Sequence, residues 1–393
     1  MNTSRITTLV SVLAVVALMV GLSGCDQFIS MLTDDGSTDG GMPPMMDGEI
    51  QIGVIVALTG QHAEPYGLPM QRGFELAREE INNAQLGNAS LTFVTVDDMS
   101  TVAGAMAAVQ QLVDQDVPAM VGIAISTQLK DAFPIAQENE VVAFSSVSSA
   151  SGLSGIGDYI FRAGLATDIL MPSGVMATQE KLGYQKVVTI YDDIDVYSTS
   201  SNEELRKALE ANGVEILAVK TFQTGDTDFS EQLTKIKELN PDALFISALS
   251  REMTEIIIQG RALGIPSSVH FVVPDLSNAE VQKAGTAAEG AITFTGWSSM
   301  SDTPGNQAFV QSYRMRYGIE PEPWAAQSYA TLHILANAIS MAESMDSAAI
   351  RDALAQTMDS PTILGNFSFD PNGEAMYDPI VLIAKDGDLQ VFE

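Results

Sequence analysis

Residues 144–151 read Phe-Ser-Ser-Val-Ser-Ser-Ala-Ser directly after a short apolar run. The stretch concentrates hydroxyls and backbone amides and carries no charge. Such a loop binds a carboxylate through neutral hydrogen bonds and the dipole of a helix start, with no need for a buried cation. An ordinary polar turn has the same composition, and that alternative stays open. A second loop with binding chemistry is 59–67, Thr-Gly-Gln-His-Ala-Glu-Pro-Tyr-Gly, where Tyr66 offers a ring and a hydroxyl and His62 is either a solute contact or a solvated loop histidine. Catalytic signals are sparse. The chain has three histidines, His62, His270 and His333, and one cysteine, Cys25. It contains no Gly-x-Ser-x-Gly elbow, no His-Glu-x-x-His and no glycine-rich phosphate loop with lysine. The inventory argues against a hydrolase or metalloenzyme, so neither a cofactor nor a metal site is expected, and the chain reads as a binder rather than an enzyme.

The elements that hold these loops follow from periodicity. Ile50, Ile52, Val54, Ile55, Val56 and Leu58 are apolar on both faces, as a central parallel strand requires. Met70, Phe74, Ala77 and Ile81 then recur at helical spacing. A loop that leaves a strand's carboxyl end in an open α/β sheet meets ligands, which puts 59–67 at a crevice. Strands at 91–96, 119–123, 141–144 and 159–162 alternate with helices at 102–113 and 128–139, and a helix at 168–182 carries Pro172 in its first turn. A second alternating series has strands at 187–191, 214–219, 243–247 and 269–273. Its first helix is opened by a capping box, Ser201-Asn202-Glu203-Glu204, and the next is marked by Phe229, Leu233, Ile236 and Leu239. Two series of this length argue for two similar lobes. A tail with a strand at 291–294, helices at 308–317 and 325–341 and a strand at 363–369 supplies more than a cap for the second.

The 393 residues, 46% of them hydrophobic, are enough for two or three domains. Lys plus Arg number 19 against 50 Asp plus Glu, a formal charge of -31 that repels phosphate backbones and excludes nucleic acid as a partner. The acid excess is a solvated surface or an adaptation to salt. At the amino end Arg5 precedes an apolar run over 6–20 and the small residues Gly21, Ser23 and Gly24, an export-signal pattern too short for a spanning helix. Residues 34–48 are rich in Asp, Gly, Ser and Pro and read as a tether.

The run Ile-Gly-Val-Ile-x-x-Leu-Thr-Gly at 52–60, then Tyr66-Gly67, then Gly-Phe-Glu-Leu-Ala-Arg-Glu-Glu-Ile-Asn at 73–82, resembles the extracytoplasmic receptors of branched-chain amino acid ABC transporters. The tetrad Leu22-Ser23-Gly24-Cys25 resembles a bacterial lipoprotein signal, which implies cleavage before Cys25, lipid on that residue and attachment to the membrane, on the periplasmic side of the inner membrane if the source is Gram-negative.

The resemblance implies a type I periplasmic binding protein fold: α/β, two similar lobes, each a parallel sheet flanked by helices, joined by three crossovers. It divides the chain into a signal peptide (1–24), a tether (25–48), a first lobe (49–166 plus 290–370) and a second lobe (167–289 plus 371–393). It also implies that Ser126, Thr127, Ser148 and Ser149 contact a ligand's carboxylate and amine, and that Tyr66 and Tyr197 face each other across the cleft. Ser198 stands where the family has glycine after the second tyrosine. An ammonium needs an acid, and two are placed for it. Asp168 is either that partner or a helix N-cap, and Asp275 matches a family position usually held by glutamate. Ala248-Leu249 occupies the place of a frequent aromatic residue. Trp297 is a cleft wall or core packing, and His333 reads as packing. The implied function is capture of a small solute, an amino acid of branched-chain type, and its delivery to an ABC permease. The alternative is a sensor of the same fold for an amide or small carboxylate, signalling to a separate partner.

Overall fold

The computed structural model describes residues 47–84 and 88–392. The expected signal peptide, the lipidation site Cys25 and nearly all of the tether lie outside these residues. Among them no helix is long and apolar enough to cross a membrane.

Strand β1 (Asp47–Val56) begins inside the segment read as tether and buries Ile50, Ile52, Val54, Ile55 and Val56. A π-helical turn (Ala63–Gly67) and helix α1 (Leu68–Ala84) follow, and α1 turns Met70, Phe74, Ala77 and Ile81 inward as their spacing requires. Strand β2 (Asn88–Asp97), α2 (Val102–Val113), β3 (Ala119–Gly122), α3 (Ser126–Glu138), β4 (Val142–Ser145) and β5 (Ile160–Arg162) complete the first series. Its five strands are all parallel, in the order β2-β1-β3-β4-β5.

The second series runs α4 (Thr167–Leu182), β6 (Lys186–Asp192), α5 (Val196–Ala211), β7 (Glu215–Phe222), α6 (Ser230–Leu239), β8 (Ala243–Ser247), α7 (Ser250–Ala262), β9 (His270–Val272), α8 (Asn278–Ala284) and β10 (Ile292–Thr295). The chain then returns with α9 (Asn306–Tyr317), α10 (Pro323–Ala342), α11 (Ser347–Ala355) and three short antiparallel strands, β11 (Ser360–Thr362), β12 (Gly365–Phe369) and β13 (Ala375–Met376). It ends with β14 (Ile380–Lys385) and β15 (Asp388–Val391) back on the second sheet, whose order is β15-β14-β10-β9-β8-β6-β7.

Stripped of β14 and β15, the second sheet repeats the order of the first: β7-β6-β8-β9-β10 matches β2-β1-β3-β4-β5. The strand order reverses between β1 and β3 in one sheet and between β6 and β8 in the other. Loops leaving these strands diverge there and open a crevice. Tyr66 and Ser126 follow β1 and β3; Tyr197 and Ala248 follow β6 and β8.

The structure corrects several expectations. The second sheet is mixed, because β14 runs antiparallel to both β10 and β15. Strand β10, expected to open the first lobe's second segment at 290, pairs in parallel with β9 through Ile292 and Val272 and so belongs to the second sheet. The chain changes sheets after Thr295, and again after Met376 rather than at 370. Periodicity marks a strand but not its partner. Pro172 lies inside α4, beyond its first turn. Helix α5 starts at Val196, capped by Asp195 whose side chain accepts the Ser198 N–H; the motif at 201–204 is therefore inside the helix, with Ser201 bonded to Ser247 at 2.9 Å. Phe229 is the N-cap of α6 and packs in one core with Leu233 and Ile236, whereas Leu239 at the helix end is exposed.

Candidate functional site

Tyr66 reaches the cleft because the turn carrying it lies tight against the end of β1. A Cβ on Gly67 would stand 1.8 Å from the Ala57 carbonyl oxygen, so only glycine lets the turn seat there. The loop is stapled to the next strand's end by Asp97, which accepts the Leu58 N–H (2.9 Å) and the Thr59 hydroxyl (2.6 Å). The Tyr66 hydroxyl accepts the Ser250 N–H at 3.0 Å, a bond from one sheet's loops to the other's. Burial raises the Tyr66 phenol well above its ordinary pKa, so it keeps its proton and remains a donor at neutral pH.

Ser126 opens α3, its hydroxyl 2.9 Å from that of Ser148 and accepting the Ala150 N–H at 3.3 Å. Ser149 lines the cavity; Ser148 lies behind it, fully buried. The start of a 13-residue helix, the serine hydroxyls and the loop amides meet at one wall, which carries hydrogen-bond donors and no charge. Thr127, expected at the ligand, instead donates to Asp195 across the cleft at 2.7 Å.

On the opposite wall the Tyr197 hydroxyl donates to Asp275 Oδ2 at 3.2 Å. Tyr197 sits in the first turn of α5, and burial raises its phenol well above the usual pKa. Asp275 follows β9 in a left-handed conformation, φ 58°, that aspartate tolerates better than most residues. Its carboxyl is raised to about 7, chiefly by burial. Asp168 is exposed in the first turn of α4, whose N-cap is Ala166, so it is neither at the cavity nor a cap.

The cavity between these walls has a volume of about 30 Å³, room for roughly two water molecules. Its lining brings together Tyr66, Ser126, Ser149, Tyr197 and Asp275 of the expected set, and adds Ala124, Ile125, Val147, Ala248, Leu249, Met253 and Trp324. Asp275 is the one charged lining residue. Its apolar members come from both sides, Ile125, Val147 and Trp324 on one and Ala248, Leu249 and Met253 on the other, and offer packing surface to an aliphatic group.

Sequence reasoning missed Met253 and Trp324. Trp324 is the second residue of α10, behind Pro323, with its ring 5.5 Å from that of Tyr66. Proline before it marks a helix start, but nothing local marks that start as facing the cleft. Trp297 is core packing: its indole N–H donates to Asn306 at 2.8 Å and its ring meets Phe309 edge-on. His62 is buried beside Tyr66, outside the cavity lining, and desolvation lowers its pKa to about 4. His333 packs on Tyr329 and is lowered likewise to about 4.

Two lobes of matching strand order meet at their switch points around one cavity, lined by Ser126 and Ser149 on one side and by Tyr197 and Asp275 on the other. The chain belongs to the periplasmic binding protein family, whose model matches residues 49–387. A relative in Pseudomonas aeruginosa, the leucine-, isoleucine-, valine-, threonine- and alanine-binding protein, is 24% identical over 330 residues, 83% of this chain and 87% of its own. The branched-chain amino acid transporter substrate-binding protein LivJ of Streptococcus pneumoniae, solved with isoleucine, superposes with a TM-score of 0.82 at 29% identity, covering 87% of this chain and 98% of that one. A Rhodopseudomonas palustris solute-binding protein solved with benzoate shares the fold, with a TM-score of 0.80 at 22% identity over 88% of this chain and 95% of its own. These relatives are solute-binding proteins, not enzymes.

Proposed function

We propose that the protein is an extracytoplasmic receptor that captures a small α-amino acid of branched-chain type between its lobes and delivers it to an ABC permease, held at the membrane through Cys25. The observation that supports the ligand class is Asp275. It is the single charged group of the cavity lining, bonded to Tyr197 and with no lysine, arginine or histidine in that lining. A half-buried carboxylate with no cation beside it favours a cationic guest. The ligand's ammonium pairs with Asp275, its carboxylate takes the start of α3 with Ser126 and Ser149, and an aliphatic side chain packs on Met253, Leu249 and Trp324. A benzoate-like acid supplies no cation for Asp275 and brings a second negative charge to it.

Closure follows from the same geometry. A solute that touches both walls binds the closed arrangement better and shifts the population toward it. A thermal-shift screen against amino acids, short amides and aromatic acids tests the reading. A ligand at ~100 times its dissociation constant stabilises by about 2.7 kcal/mol, visible as a raised midpoint. Hits on leucine-like amino acids that vanish in Asp275→Asn support the proposal; hits confined to acids without an amine refute it.

A further inference from the structure

Arg162 ends β5 with no exposed surface. Its Nη1 donates to the carbonyl oxygens of Ser148 (3.1 Å) and Ala150 (2.6 Å). Its Nε donates to Ser154 Oγ (3.2 Å) and Glu374 Oε2 (3.0 Å), and its Nη2 lies 2.5 Å from both carboxylate oxygens of Glu374. Glu374 stands between β12 and β13, just ahead of the last change of sheet, and also accepts the Ser154 N–H at 3.2 Å. The backbone is tied at the same place, where the Arg162 N–H donates to the Gly373 carbonyl at 3.0 Å.

The consequence lies in the peptide planes. All peptides here are trans, so a carbonyl and the N–H of the next residue point in opposite directions. With the Ser148 carbonyl drawn to Arg162, the Ser149 N–H is turned the other way. Ser149 lines the cavity, and among the described residues no acceptor takes its N–H. With the Ala150 carbonyl drawn to the same guanidinium, the Ser151 N–H is turned to Thr167 Oγ1 (3.2 Å) and to Ser200 Oγ (3.0 Å), the latter on α5 beside the second sheet.

We infer that Arg162, held by Glu374, is a positioning residue for solute binding: it aims the Ser149 N–H at the solute's carboxylate and the Ser151 N–H at Ser200 of the opposite lobe. One buried fork thereby orients a ligand donor and a lobe-to-lobe donor on the same loop, and anchors that loop to the segment leading into the third crossover. The inference rests on reading the cleft as an amino acid site. A lysine cannot replace the guanidinium, because a single ammonium does not span two carbonyls and a bidentate carboxylate in one plane.

The test uses the full chain with Arg162→Lys, Glu374→Gln and the double variant Arg162→Met/Glu374→Met, which removes both charges together and avoids an unpaired buried ion. Hydrogen exchange over 146–152 is read without solute, and leucine affinity by calorimetry. In variants that keep a cooperative melting transition, exchange over 146–152 should rise at least about tenfold while other segments hold. Leucine affinity should fall about 10- to 100-fold, the range for hydrogen bonds to charged or buried partners. Glu374→Gln, which keeps acceptors for the fork, should recover part of the loss relative to Arg162→Lys. Unchanged exchange over 146–152 in the folded double variant, or leucine affinity within twofold of the parent, overturns the inference. If the parent itself binds no amino acid, the ligand reading fails, and the exchange measurement alone still decides whether Arg162 orders the loop.

Discussion

Thr127 Oγ1 donates to Asp195 Oδ2 at 2.7 Å and accepts the Val196 N–H at 2.9 Å, so a side chain from the first lobe's α3 completes the N-terminal cap of the second lobe's α5. Asp195 Oδ1 meanwhile accepts the Ser198 N–H and hydroxyl, each at 2.9 Å. The cap is built within one lobe and finished by the other. Its last two bonds exist only while the lobes hold this relation, so a local helix-start requirement depends on how the lobes are set. Thr127→Val, of similar shape but without the hydroxyl, should weaken solute binding by roughly 1.5–3 kcal/mol, the worth of a bond to a charged group. Asp195→Asn should act in the same direction. A double-mutant cycle by calorimetry should give a clearly non-additive pair; additive losses would mean that Thr127 acts on the solute independently of Asp195.

Affinity for an amino acid should depend on pH through Asp275. Its carboxyl is raised to about 7 by burial, so below that pH the free protein carries a proton that an incoming ammonium displaces. Affinity should rise with pH up to about 7, by at most tenfold per unit, and level off above. Stability of the solute-free protein runs the opposite way. Between the unfolded value of 3.8 and about 7 the native state binds the extra proton, so this group's contribution to stability falls as pH rises through that window. Asp275→Asn keeps the left-handed backbone and should flatten both dependences. Isothermal titration in two buffers of different ionisation enthalpy measures the proton released.

The two tryptophans should separate stability from binding. Trp297→Phe leaves Asn306 Oδ1 without its indole donor in a buried setting and should cost about 1–3 kcal/mol of stability with solute affinity within twofold. Trp324→Ala removes a cavity wall beside Tyr66 and should lower affinity by tenfold or more. Chemical denaturation paired with calorimetry distinguishes the two; equal affinity losses would put Trp297 at the solute as well.

Gly73 is where α1 crosses α10. A Cβ there would stand 2.1 Å from the Ala325 carbonyl oxygen, so the helices must part to admit it. Gly73→Ala should therefore destabilise by about 1–3 kcal/mol despite the higher helix propensity of alanine. Because Ala325 adjoins Trp324, solute affinity should fall with it. A melting curve unchanged from the parent would show that the helices separate at no cost.

Asp168→Asn should leave affinity within twofold. The side chain is exposed and the cavity lining does not include it. A large loss would return Asp168 to the ammonium role that the sequence also allowed.

Strands and helices were legible where hydrophobic period decided them. Strand β1, with Ile52, Val54 and Val56, and helix α1, with Met70, Phe74 and Ala77, follow from spacing alone. Tyr66, Ser126, Ser149, Tyr197 and Asp275 were placed at a common site by loop position and by resemblance, and the cavity gathers them. What the sequence concealed was direction and partnership. Ser201 begins a faultless capping box, yet Asp195, six residues earlier, takes the cap, because a carboxylate beside Thr127 satisfies more donors than a second start inside the helix. The apolar run at β10 announces a strand, but hydrogen bonding to Val272 in the other sheet is a long-range choice that no window of residues contains.

By itself, then, the sequence determined the alternation of elements, the acidic surface and the uncharged serine loop, all of which depend on residues near one another in the chain. Only the tertiary structure decided that Trp324 and Met253 close the cavity, that Thr127 serves a helix cap in the other lobe, and that Arg162 reaches forward to Glu374 to aim two amides. The physical reason is the same in each case. Burial and hydrogen bonding are satisfied between groups that folding brings within about 3 Å, and local periodicity is blind to which distant group arrives there.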